Sequence, residues 1–270
     1  MNLDYVPLLQ LQRELQGLPR NFARFRKYLR TIANEDGTSL KLPSLVNMNP
    51  MGKDHVTVLL DVLLALDADG IAARAVAEAS DQLANEPGDF KVALVVADDL
   101  MGGWTNRYAS EFSLRFPRGP VAPADARLPR WLDDFWITGV VWSSEAASEQ
   151  AVREAILTAI YRTAHLQRHG CPRALRDRLA QEGAVMARAG CTRPILNKDD
   201  LAYAREVLIP FLDADDMRTA IECLFGDAPA RTLGFTPRGL SPWAGLALAL
   251  HDARAAIPGK AKQSQGWCLP

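Results

Sequence analysis

Pro87-Gly88-Asp89-Phe90-Lys91-Val92-Ala93-Leu94-Val95-Val96-Ala97-Asp98-Asp99 carries the strongest strand signal in the chain. Lys91 to Ala97 is rich in β-branched residues, almost continuously apolar, and bounded by turn residues at both ends. A half-exposed strand would alternate, whereas a continuous run predicts a strand covered on both faces, as in a parallel sheet. Phe135 to Trp142, ending in Ser143-Ser144-Glu145, reads the same way. A shorter apolar run, Leu42 to Val46, precedes the polar turn Asn47-Met48-Asn49-Pro50-Met51-Gly52. Each run is followed by a turn and a helical pattern, with connections long enough for parallel crossovers. The prediction is a helix-rich α/β fold, a small parallel sheet of roughly three to four strands among about eight to nine helices.

Working outward, Leu8, Leu11, Leu15 and Leu18 form one helical stripe and Phe22, Phe25, Leu29 and Ile32 a second, broken at Gly17-Leu18-Pro19. This predicts an N-terminal helical hairpin over residues 1–36. Lys53 to Leu66 is apolar almost all round, which predicts a largely buried helix, and Ile71 to Asn85 predicts a more polar one. Trp104 to Phe116 is read as helix and Pro117 to Pro129 as loop. Residues 42–145 thus form β-loop-α units, and 147–257 are mainly helical. Helices are expected from Val152 to Gly170 and near Arg173–Ala189, Lys198–Leu212, Met217–Phe225 and Pro242–Ile257. Ser241 is the expected cap of the last, with Pro242 at its first position. A short strand near Thr232–Phe235 is a further candidate. The whole of 1–257 is expected to form a single globular domain, with 258–270 a mobile tail.

Composition excludes several classes. The 270 residues include 31 Lys or Arg and 32 Asp or Glu, a net charge of −1, with 48% hydrophobic residues. That is neither a disordered acidic tail nor a uniformly basic nucleic-acid coat. Met1 to Leu11 has no basic region followed by an apolar core, so no secretory signal is read there. The longest apolar stretch, Val56 to Leu66, is far short of the ~20 residues of a membrane span. Cys171, Cys191, Cys223 and Cys268 are widely spaced, as expected for reduced thiols. A soluble cytoplasmic protein with no membrane partner is the expectation.

In open parallel sheets, ligands bind beyond the carboxyl ends of the strands. Those ends supply Asn47 and Asn49, then Asp98 and Asp99, then Ser143, Ser144 and Glu145, behind the aromatic Trp142. Lys53 and His55 follow the first, and Trp104, Asn106 and Arg107 the second. Together they make up the inventory of a polar small-molecule pocket. Asp98, Asp99 and Glu145 are the candidate catalytic groups, as an acid/base set or as ligands of a divalent metal. Adjacent strand residues point to opposite sides, so only one of Asp98 and Asp99 is expected to face the pocket. Against this stands the plain alternative that Asp, Asn and Ser end strands because they favour turns and caps.

Other signals are weaker. His165 and His169 have the i, i+4 spacing of metal-binding histidines but lack the Glu of H-E-x-x-H, and solvated or capping roles are expected. His251 is read as a core or boundary residue. Gly52-Lys53 and Gly102-Gly103 lack the spacings of phosphate-binding loops. Arg20, Arg24, Arg26, Lys27, Arg30 and Lys41 interleave with aromatics, yet Phe22, Phe25 and Leu29 are assigned to the core stripe, which argues against nucleic acid. A second basic block covers Arg162 to Arg193, and acidic blocks cover Asp54 to Glu86 and Asp199 to Asp227, a sorting suited to matching within the fold or across a homo-oligomer.

Two functions follow. One is a protein binding a polar, anionic small molecule at the strand ends, with Lys53 and Arg107 neutralising the anion and the carboxylates performing acid/base or metal-assisted chemistry. The other is a non-catalytic helical interaction or regulatory protein whose strand-end polar residues are only caps.

Overall fold

A computed structural model describes residues 1–100, 106–117 and 136–256. Trp104, most of the Pro117–Pro129 stretch, Phe135, Cys268 and the 258–270 tail lie outside the described residues. Eleven α-helices and three strands occur among those described, the helix-rich α/β class with a small parallel sheet. No described helix is long and apolar enough to cross a membrane. The backbone contacts divide the chain into two compact units, Met1–Ser110 with Gly119–Gly170, and Glu111–Arg118 with Cys171–Pro270.

The first unit holds the sheet: β1 (Asn2–Tyr5), β2 (Asp89–Ala97) and β3 (Trp136–Trp142), in the order β1-β2-β3 and parallel throughout. Val92 to Ala97 are all buried, as the continuous apolar run requires. Its helices are α1 (Leu9–Gly17), α2 (Phe22–Ile32), α3 (Asp54–Ala65), α4 (Ala68–Gln82), the start of α5 (Arg107–Arg115) and α6 (Glu149–His169). Ala93 and Val95 face a cluster of Leu8, Leu15, Tyr28, Ile32, Leu45 and Met48 from α1, α2 and the chain before α3. Gly139 of β3 turns to the opposite face, where a Cβ would stand 2.9 Å from Ile156 of α6, so glycine permits the close crossing.

Leu42 to Val46 is not a strand. Pro43–Asn47 forms a 3-10 turn, with Pro43 in its first turn and Leu45 and the following Met48 fully buried against the sheet. The first strand is instead Asn2–Tyr5, which the hairpin reading of residues 1–36 had absorbed. Four residues alternating between exposed and half-buried on an edge give almost no sequence signal. Past Tyr5 the edge of β2 would stand open, and Gln12 of α1 fills the gap. Its side-chain amide donates to the Val96 carbonyl at 2.6 Å and accepts from the Val96 amide at 2.9 Å, reproducing a strand's pair of bonds.

Helix α2 is rotated from the predicted stripe. Arg24, Tyr28 and Ile32 are buried, while Phe22 is 68% and Leu29 43% exposed. Arg24 donates to the Leu18 and Gly52 carbonyls and Tyr28 to the Leu45 carbonyl, so long polar-tipped side chains fill the interior. Helix α3 is likewise less buried than predicted, because Val58 and Val62 face outward. Arg168 of the second basic block pairs with Glu86 of the acidic block before it, and Arg153, outside the basic blocks, pairs with Glu78.

The second unit is helical: the Glu111–Arg115 end of α5, then α7 (Leu175–Arg188), α8 (Lys198–Leu208), α9 (Met217–Phe225), α10 (Asp227–Thr232) and α11 (Ala244–Ala255). Arg115 lies between Glu111 and Glu182, both buried, and Glu222 is held by Arg218, Arg238 and the Thr236 amide. Arg176 pairs with Asp213. Three expectations change here. Thr232–Phe235 is the turn that closes α10, where the Phe235 amide bonds the Ala230 carbonyl. Helix α11 begins after Trp243, which has φ 63°, so Ser241 does not cap it. His251 is exposed, directly after the buried Ala244–Leu250 run of α11.

Candidate functional site

The carboxyl ends of β2 and β3 are in register, with Ala97 beside Trp142 and the Ser143 amide bonded to the Ala97 carbonyl at 2.8 Å. Asp98 and Asp99 therefore leave the sheet next to Ser143 and Ser144. The ladder ends there, and the Leu100 amide folds back to Asp98 Oδ1 at 3.1 Å. Strand alternation lapses with the ladder, so both aspartates gather on one group: Ser143 Oγ is 3.0 Å from Oδ1 of each. The expectation that only one would face the site is corrected on this point.

Asp98 is the centre of the first cluster. It is 4% exposed, accepts from Asn49 Nδ2 at 2.8 Å, and meets His55 Nε2 at 2.7 Å. Asn49 arrives because the 3-10 turn packs on the sheet, and its Oδ1 also accepts from the Met51 amide at 2.9 Å. His55 arrives on the first turn of α3. Burial alone would raise the Asp98 carboxyl. The bonds from His55, Asn49, Ser143 and the Leu100 amide outweigh it and hold the group below the usual carboxylate range. An ionised carboxylate only accepts, so the ring nitrogen that carries a proton in this bond is Nε2 of His55. The half-buried ring thus presents one nitrogen to its carboxylate and the other away from it.

Arg107 organises the second cluster. Its guanidinium donates to Asp99 Oδ2 at 3.1 Å, to Ser144 Oγ at 3.0 Å and to Glu145, and lies 5.2 Å from the centre of the buried Trp142 ring. Asp99 also accepts from Ser144 Oγ at 2.6 Å and from its amide at 2.9 Å. Burial pushes the Asp99 carboxyl up, but the Ser144 bonds and the Arg107 charge pull it below its ordinary value. Glu145 and Asp99 share this arginine.

The remaining candidates take other places. Asn47 bonds the Ser44 carbonyl at 3.1 Å and closes the 3-10 turn. Asn106 Oδ1 accepts from the Tyr108 and Ala109 amides at 3.0 and 3.2 Å, which makes it the cap of α5. Lys53 is exposed immediately before α3, whose first turn has no side-chain cap. Trp104 lies outside the described residues. His165 and His169 stack at 4.4 Å between ring centroids near the end of α6. Arg168 beside them bonds Glu86, which places that end near the start of β2, away from the carboxyl ends. Among the described residues, no group of three or more His, Cys, Asp or Glu side chains is arranged to hold a metal ion. Among the described residues, Cys171, Cys191 and Cys223 are in no disulfide, and burial pushes the Cys223 thiol up to about 12.

Of the strand-end candidates, Asn49, His55, Asp98, Asp99, Arg107, Ser143, Ser144 and Glu145 are neighbours in the structure, and the sequence did not give their wiring. The two-cluster division, His55–Asp98 on one side and Arg107 on the other, rests on the 3-10 turn that brings Asn49 and on the first turn of α3 that brings His55. Neither carries a motif. Comparison with protein-family models, curated proteins and solved structures finds no match.

Proposed function

We propose that the first unit binds a small polar molecule beyond the carboxyl ends of β2 and β3, with His55 as its acid–base group. Asp98 orients the imidazole and fixes its tautomer, which leaves Nδ1 to take a proton from the ligand and return it. The observation that carries this reading is the 2.7 Å bond from Nε2 to a buried carboxylate that three further donors hold ionised. Imidazole is the side chain that exchanges protons near neutral pH, and a carboxylate behind it supports that exchange. Ser143 is not aligned as a nucleophile, because its hydroxyl serves Asp98 and Asp99 rather than His55. Arg107 is committed to Asp99 and Glu145, so the cation left for an anionic part of the ligand is Lys53, with the uncapped α3 amides beside it. The second cluster serves as a rigid wall that keeps Trp142 and the Asp99 loop in place.

A thermal-shift screen with organic acids, phosphate esters, sugars and amino acids tests the reading. A ligand that raises the melting temperature of the wild type should lose most of that rise in Lys53→Ala and His55→Ala. Ligands that stabilise all three proteins equally, or a broad panel with no stabilising member, would overturn it. Val58 and Val62, exposed on α3 at 61% and 49%, are the observation that favours the second reading, an interaction surface with no chemistry.

A further inference from the structure

Most charge blocks of this chain meet their opposites within the fold, but the block around α2 does not. Between Leu15 and Asn34 there are five cations, Arg20, Arg24, Arg26, Lys27 and Arg30, and no acid. Arg24 is buried against backbone carbonyls, whereas the other four are exposed and none forms an ion pair among the described residues. At about 100° per residue, Arg24, Tyr28 and Ile32 point inward, and Phe22, Leu29, Arg26 and Arg30 share the outward half of the helix. Arg26 lies 5.2 Å over the Phe22 ring. The corner joining α1 to α2 continues this surface, with seven consecutive exposed residues from Gly17 to Ala23 that include Leu18, Pro19 and Phe22.

We propose that this corner and the outward face of α2 dock on an anionic membrane surface. Leu18 and Phe22 enter the boundary between headgroups and acyl chains, while Arg20, Arg26, Lys27 and Arg30 face the lipid phosphates. The chemistry of the patch selects this occupant. Four exposed cations that form no ion pair among the described residues call for an anionic surface, and the apolar residues between them call for an apolar one beneath it. A single nucleic-acid strand would use a charged groove lined with stacking aromatics. Here one strongly exposed ring, Phe22, stands on an exposed corner with the partly buried Phe25 behind it, and Leu18, Pro19 and Leu29 gain little from bases. This docking is peripheral, and it is independent of the His55 site.

Co-sedimentation with vesicles of phosphatidylcholine alone, or with a third of phosphatidylserine, is the test. The wild type should bind the anionic vesicles and not the neutral ones, and more weakly as salt rises. Each cation near such a surface strengthens binding about fivefold, so Arg26→Glu/Arg30→Glu should weaken it well over tenfold. Phe22→Ser, which removes the apolar anchor but no charge, should also weaken it. All these positions are exposed, and circular dichroism should show the variants folded. Equal binding to both vesicle types, no binding to either, or full retention by the double variant would overturn the proposal. So would tighter binding of oligothymidylate than of anionic vesicles, abolished by the same substitutions.

Discussion

Asp98 joins two roles that sequence reasoning set against each other, a strand-end cap and a functional carboxylate. It caps its own turn through the Leu100 amide while holding His55 and Asn49. Asp98→Ala would leave those buried donors without an acceptor, at a cost of about 3 kcal/mol. Glu145→Ala breaks only an ion pair whose carboxylate is 39% exposed, and should cost less than about 1 kcal/mol. Urea denaturation of the two variants checks this difference, and near-equal losses would mean that Asp98 is less central than its bonds indicate. Asp98→Asn separates the roles further. An amide can still accept one bond, but it no longer compels Nε2 to carry the proton. Imidazole nitrogen NMR at mildly alkaline pH should show the Nε2–H tautomer of His55 in the wild type and a mixture in Asp98→Asn.

Helices and strands differed in how plainly the sequence announced them. The run Lys91–Ala97 was legible as a continuous β-branched apolar stretch between turn residues, and the helix Met217–Phe225 as an apolar helical segment ending at Gly226. Strand β1 was not legible, because its pairing comes from β2, far along the chain, and nothing within its four residues records that partner. The outward turn of Phe22 was hidden for a related reason. Periodicity alone cannot tell an apolar stripe from a stripe of Arg, Tyr and Ile whose polar tips find backbone carbonyls. Gln12 makes the point testable at the level of an element. Gln12→Leu keeps the side chain's bulk but strips partners from the buried Val96 amide and carbonyl, and should cost about 2–4 kcal/mol. Gln10→Leu, on the exposed side of the same helix, should change stability by less than about 0.5 kcal/mol. Chemical denaturation of both variants tests whether the amide stands in for a strand residue.

Across the whole molecule, the carboxylates set the response to acid. Asp98 and Asp99 in the first unit and Asp216 and Asp227 in the second share a pattern. Burial raises each carboxyl, and hydrogen bonds or nearby arginines then pull it below its ordinary value. For Asp227 the donors are the amides of Arg238, Gly239 and Leu240. A carboxyl depressed in the folded state binds fewer protons there than in the unfolded chain. Its contribution is therefore complete above the unfolded value of about 4 and is lost as pH falls through the lower folded one. Asp69 has the opposite sign, since burial beside Tyr5 raises its carboxyl and its contribution fades as pH rises through that raised value. With Asp36 and Asp61 also held low by hydrogen bonds, six depressed carboxyls stand against one raised among the described residues, and the sum favours the neutral range. The urea midpoint should hold steady from pH 7 to 5 and drop steeply below pH 4. Asp98→Asn, which cannot lose a charge there, should start lower at pH 7 and fall less steeply in acid. A midpoint that rises below pH 4, or a variant as acid-sensitive as the wild type, would show that this carboxylate is not held ionised by its neighbours. The tautomer argument for His55 would then fall with it.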